Sequence, residues 1–152
     1  MNSNNRLFKK LIKTANDNRS LIPRIIVGLV FLSEGIQKFL YPEIVGVGRF
    51  EKIGFENAEF LAYFVASFEI VCGVLILIGF LTRLAAIPLL TIMVTALIST
   101  KIPVLLNEGF WFMAHAARTD FAMTMLLIFL LINGAGKWSV DYILFKPLNL
   151  ST

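Results

Sequence analysis

Cysteine and histidine are nearly missing: 152 residues hold one of each, Cys72 and His115. One cysteine excludes an intrachain disulfide and any C-x-x-C pair, so a thiol relay through the chain's own cysteines is ruled out. One histidine cannot supply both axial ligands of an intramembrane haem. Zinc wants three or four closely placed Cys, His or carboxylate ligands, and no such pattern is present. Charge is scarce as well, at 16% of residues, against about 25% in an ordinary soluble domain. Also absent is the alternation over about ten residues that marks the strands of a membrane β-barrel.

What fills the chain instead is apolar: 57% of residues are hydrophobic and the mean hydropathy is +0.78. That much apolar surface has to be covered by lipid or by partner chains, so a membrane protein is expected. The long apolar stretches are 21–40, 60–81, 84–106 and 121–132. About 20 residues span a hydrocarbon core of about 30 Å, which the first three meet. The fourth is short and is expected to borrow flanking residues. Backbone polar groups in lipid must be satisfied within their own segment, which makes these helices. The expectation is an all-α, four-transmembrane-helix bundle over residues 21–142, with spans at about 21–41, 59–81, 84–106 and 117–135. Residues 1–20 read as a basic amphipathic tail and 143–152 as a second tail.

An even number of spans puts both termini on one side. That side would hold Arg6, Lys9, Lys10, Lys13, Arg19, Arg24, Arg83, Lys137 and Lys146, nine of the fourteen Lys and Arg residues. The excess makes the N- and C-termini cytoplasmic. The basic tail carries Leu7, Phe8, Leu11 and Ile12 on an apolar face, a pattern that suits the anionic surface of a bilayer. A net charge of +4 concentrated in that tail points to lipid headgroups and to no nucleic acid.

Six ionisable residues sit in or at the ends of the apolar segments: Glu34, Lys38, Glu69, Lys101, Arg118 and Asp120. A charge at a helix centre costs roughly 2.5–3.5 kcal/mol on insertion scales, so such residues usually face inward and pair. Glu34 and Lys38 are four apart, in the order helices favour; a self-neutralising structural pair and a ligand role weigh evenly. Glu69 shares a face with Ala62, Ala66 and Gly73, and small residues mark helix contact. It must meet a cation or take up a proton, with Lys38, Lys101 and Arg118 as candidates. Arg49, in the long loop 41–59, is a further cation able to reach an inward carboxylate if that loop folds back, with a solvated loop charge as the plainer alternative. Lys101 either snorkels or pairs with an acid. Asp120 also reads as a helix cap, His115 as an interfacial histidine and Asp141 as solvated. Residues 107–117, with Phe110-Trp111-Phe112, read as a second loop with an aromatic belt.

Gly28-Leu-Val-Phe-Leu-Ser-Glu34-Gly-Ile-Gln-Lys38-Phe, Arg49-Phe50, Phe68-Glu69-Ile-Val-Cys-Gly73 and Gly79-Phe-Leu-Thr-Arg83 resemble the DoxX family. So do Lys101-Ile-Pro103 and Arg118-Thr-Asp120-Phe-Ala-Met123. The resemblance runs from about Arg24 to Asp141. It implies a four-helix protein of the bacterial inner (plasma) membrane, linked to membrane redox chemistry. Its matching polar residues are Glu34, Lys38, Arg49, Glu69, Lys101, Arg118 and Asp120. The missing cysteine pair departs from the thiol relay assumed for redox relatives.

Three functions follow. First is an accessory or quinone-interacting subunit of a membrane redox complex, with quinone as the candidate cofactor and a protein partner carrying the redox centres. In that reading the chain is not a self-sufficient enzyme. The second is a non-catalytic scaffold, its charges locking the bundle. Third is a small-solute transport or binding protein, against which stand only four helices and no inverted repeat. Oligomerisation would help that case, and a homo-oligomer stays open.

Overall fold

The computed structural model describes residues 18–144. These residues are helical, with no strand among them. The helices are α1 (Leu21–Leu40), α2 (Val47–Ile53), α3 (Ala58–Ile78), α4 (Thr82–Ala96), α5 (Ile102–Glu108) and α6 (Phe110–Asn133). A π-helical turn, Leu97–Lys101, joins α4 to α5, and the chain is helical again from Val140. The basic tail at the N-terminus lies, but for its last three residues, outside the described residues, as does the chain beyond Leu144. Among the described residues, three helices are long and apolar enough to cross a membrane: α3, the α4–α5 unit Thr82–Glu108, and α6. The 20-residue α1 matches them in length but carries Arg24, Glu34 and Lys38.

Local chemistry sets the boundaries. Pro23 falls in the first turn of α1, where its missing N–H has no partner to lose. Helices α2 and α3 both end on a left-handed glycine, Gly54 and Gly79. At each, the following amide reaches five residues back, Phe55 to the Phe50 carbonyl and Phe80 to that of Leu75. This is the Schellman closure, which leaves fewer orphan carbonyls. The π turn just precedes Pro103, which lacks an N–H and crowds the carbonyl four residues earlier. Residues 107–117, expected as a loop, are helical except at Gly109. Only Gly109, at φ 90°, breaks the path, and the sequence after it is rich in good helix formers.

The four long helices close into a ring. α1 and α3 pack most extensively, α4 packs well on α6, and α1 and α6 touch least. The α1–α3 seam is close because it is lined by small residues. A Cβ on Gly35 would stand 2.7 Å from Ile70 Cγ1 and 2.8 Å from the Ala66 carbonyl. Val27, Phe31, Ile76, Leu89, Leu127 and Leu130 form the dry core.

One end of the ring is closed by Arg24 and Asp141, both buried. The Arg24 guanidinium donates to the carbonyls of Ile76 (3.0 Å), Leu77 (2.7 Å), Ala135 (3.0 Å) and Trp138. It thus ties the C-terminal end of α3, where carbonyls lack helical partners and cations are favoured, to the segment that follows α6. Asp141 acts from the opposite charge. Leu81 at the start of α4 is left-handed and supplies no side-chain cap; the Asp141 carboxylate accepts from the amides of Leu81 (2.7 Å) and Thr82 (3.0 Å) instead. Burial pushes its carboxyl above the usual range, opposed by those amides and by Arg24. The sequence reading of Asp141 as solvated is therefore corrected: it is 1% exposed and caps a helix 60 residues away. Gly79 must be glycine here, since a Cβ would lie 2.7 Å from Arg24 Cζ.

Arg24→Met leaves four carbonyls without their donor, and at about 1–3 kcal/mol for each unsatisfied group the loss should be roughly 3 kcal/mol or more. Arg24→Lys, without the planar fork, should recover less than half of it. Thermal unfolding in mild detergent reads both, and a lysine variant as stable as the parent would contradict the lock.

Candidate functional site

Lys38 and Glu69 meet across the α1–α3 seam. Lys38 Nζ donates to Glu69 Oε2 at 2.7 Å, with the two side chains 9% and 5% exposed. Helix periodicity puts them there. Lys38 continues the buried stripe Arg24, Val27, Gly28, Phe31 and Gly35, and Glu69 continues Ala62, Ala66 and Gly73. Because side chains tilt toward the N-terminus of their own helix, in antiparallel neighbours they lean toward each other. Glu69 lies nine residues, about 13 Å, from the end of α3 at Ile78, deep within that helix.

Glu34 Oε2 stands 3.6 Å from the same ammonium, an ion-pair distance, with its side chain 45% exposed. Two carboxylates therefore flank one lysine. Arg49, on the exposed face of α2, lies close enough to act electrostatically on Glu69. Its helix packs on α3. The linker before it folds over the end of α1, where Gly46 leaves only 2.6 Å between a would-be Cβ and the Lys38 carbonyl.

The other named residues form separate groups. Lys101 Nζ pairs with Asp120 Oδ2 at 3.0 Å, at 16% and 26% side-chain exposure, between the π turn and α6. This second pair clamps α4 to α6 as the first clamps α1 to α3. Arg118 is exposed and its Nη1 sits 2.6 Å from Nε2 of His115, one turn earlier. Of the seven candidates, then, Glu34, Lys38 and Glu69 come together with Arg49 nearby, Lys101 and Asp120 make a pair of their own, and Arg118 stands apart. Sequence reasoning missed Arg24 and Asp141. The signal for Arg24 was present, since it falls on the Val27–Gly28–Phe31 stripe. Nothing in the spacing pointed to Asp141.

A helical membrane protein with an ion pair buried between its first two long helices is the class these features define. The family model for DoxX matches residues 20–102, and the chain belongs to the DoxX family. It is 57% identical over 129 residues to the "Uncharacterized membrane protein Rv3486" of Mycobacterium tuberculosis, covering 81% of this chain and 79% of that one. It is 28% identical over 129 residues to the "Putative oxidoreductase CatD" of Bacillus subtilis, covering 84% and 87%. No solved structure matches it significantly.

Removing one partner of a buried pair strands a charge and costs about 3–5 kcal/mol, whereas replacing both with apolar groups is close to neutral. Lys38→Met and Glu69→Leu should each lower the melting temperature sharply, and the double variant should recover most of the loss. Singles that melt with the parent would place both charges in solvent.

Proposed function

We propose that the chain is a membrane subunit of a redox complex, in which Lys38 and the two acids beside it bind a quinone and manage its protons. The observation that carries this is the buried 2.7 Å contact between Lys38 and Glu69, with a second carboxylate at 3.6 Å. The oxidoreductase named among its relatives supports the same direction. In this reading the chain crosses the plasma membrane of a bacterium four times, α1 supplying the fourth span, with both termini cytoplasmic.

The residues fit such a ligand. An ammonium has three N–H groups, and the Glu69 hydrogen bond uses one, leaving donors for a quinone carbonyl. Reduction of a quinone to its quinol takes two electrons and two protons. The electrons come from a flavin- or metal-bearing partner chain. Glu69, ionised against Lys38 at the start, takes up a proton as Lys38 turns to the charge building on the quinone, and half-exposed Glu34 draws that proton and the quinone's own two from the surroundings. A carboxyl in an apolar setting with a specific charge partner is suited to that exchange. Arg49 adds positive potential above the pair, favouring the charged intermediates of reduction.

A scaffold role is the second reading, favoured by the closeness with which Lys38 and Glu69 satisfy each other. Quinone carried out of the membrane with the chain separates the two. The purified protein should retain quinone in mild detergent and Lys38→Met should lose it. Glu69→Gln should keep the quinone but slow its reduction by the intact complex about a hundredfold, the lower end of what acid–base groups contribute. A parent protein that retains none, or a Glu69→Gln complex of full activity, would leave the scaffold.

A further inference from the structure

The ring of helices is not equally closed along its length. On α6, Met123, Leu127, Leu130 and Gly134 form one buried stripe at spacings of four, three and four. Continued toward the α2 end, the same stripe reaches Thr119 and Ala116, and both are exposed. The burial of α6 has turned there toward Ala117, Asp120 and Thr124, the side on which Lys101 pairs with Asp120. So the face of α6 that joins α1 in the core parts from it in the half nearer α2.

α1 shows the same opening from its own side. Gly28, Leu32 and Gly35 face α3: a Cβ on Gly28 would meet the Gly73 carbonyl at 3.0 Å, and one on Gly73 the Leu32 amide nitrogen at 3.0 Å. Glu34 is turned about 100° from Gly35, away from that seam, and its side chain is 45% exposed. Above the pair the way is covered by the linker at Gly46. Below it lie Val27, Phe31, Ile76 and Leu127, at 0–3% exposure. The α1–α3 seam is shut by backbone contact. What remains is the flank between α1 and α6, with Glu34 on one wall and small Ala116 and hydroxyl-bearing Thr119 on the other.

We propose that this flank is a lateral portal through which a lipid-soluble quinone enters from the bilayer, its ring passing Ala116 and Thr119 to reach Glu34 and Lys38. The inference rests on the quinone reading above. A ligand dissolved in lipid needs a side entrance, and this is the place where polar groups of the buried cluster meet the outside of the ring. The Lys101–Asp120 pair positions the wall by holding α6 against α4, so α1 alone borders the gap on the other side.

The test uses the full chain in lipid nanodiscs and a short-tailed azidoquinone. Ala116→Trp fills the portal at an exposed position where the fold has nothing to lose, and Ala116→Ser serves as the size control. Light should attach the probe to peptides from 24–40 and 113–126. Ala116→Trp should slow both association and release of the quinone about tenfold or more, since a blocked entrance changes rates and leaves the site intact, at an unchanged melting temperature, and Ala116→Ser should bind at the parent's rate. Thr119→Trp should act as Ala116→Trp does. Association as fast as the parent's in both tryptophan variants, or label found on the Phe60–Phe64–Phe68 face of α3, would overturn the portal while leaving the quinone reading in place. A parent protein that binds no quinone would overturn both.

Discussion

An uncompensated charge inside an apolar bundle has to find its opposite or its donors, and the structure is organised by that requirement. Lys38 reaches Glu69 only because α1 and α3 approach closely, and they approach closely only because Gly35, Ala66 and Gly73 stand at the contact. The pair fixes the register of the two helices in turn. A one-residue slide would turn either charge away from the seam by about 100°, leaving both buried and unmatched. Small residues and the ion pair thus act as one device.

The two ends of the ring use charge differently. At the Arg24 end the lock works through backbone: a cation joins the C-terminal end of α3 to the segment after α6, and an anion caps the start of α4. Toward α2, side chains engage other side chains, with Glu34, Lys101 and Asp120 only partly covered. Backbone contacts make a rigid base, and the side-chain ion pairs lie at the end where the proposed site is. The family string Gly79-x-x-Thr82-Arg83 gains a physical meaning from this. Gly79 gives room to the Arg24 guanidinium, the Thr82 amide takes the Asp141 carboxylate, and Arg83 Nη2 donates to the Ile132 carbonyl at 2.7 Å.

Glu69 was legible in the sequence because its neighbours on the helix, Ala62, Ala66 and Gly73, advertise an inward face by size alone. Its partner was not, since three cations were chemically equivalent and only the α1–α3 register chooses Lys38. Asp141 was illegible for a related reason: a carboxylate just past a span reads as solvated, and its partners, the amides of Leu81 and Thr82, belong to a helix start far away in the chain. The helical course of residues 107–117 was hidden by the aromatic run Phe110-Trp111-Phe112, which reads as a belt at the lipid boundary whatever the backbone does. Apolar runs gave the long helices well, but they say little about which seams close and which stay open.

In the function proposed, Lys38 flanked by Glu34 and Glu69 holds a quinone carbonyl and the acids move its protons. That the Glu69 carboxyl changes state with the redox state of the quinone is the heart of the account. Infrared difference spectroscopy of the chain in membranes, recorded between oxidised and reduced quinone, measures this directly. A carboxyl band that appears on reduction and vanishes in Glu69→Gln is the predicted result, and a spectrum identical in parent and variant would contradict it.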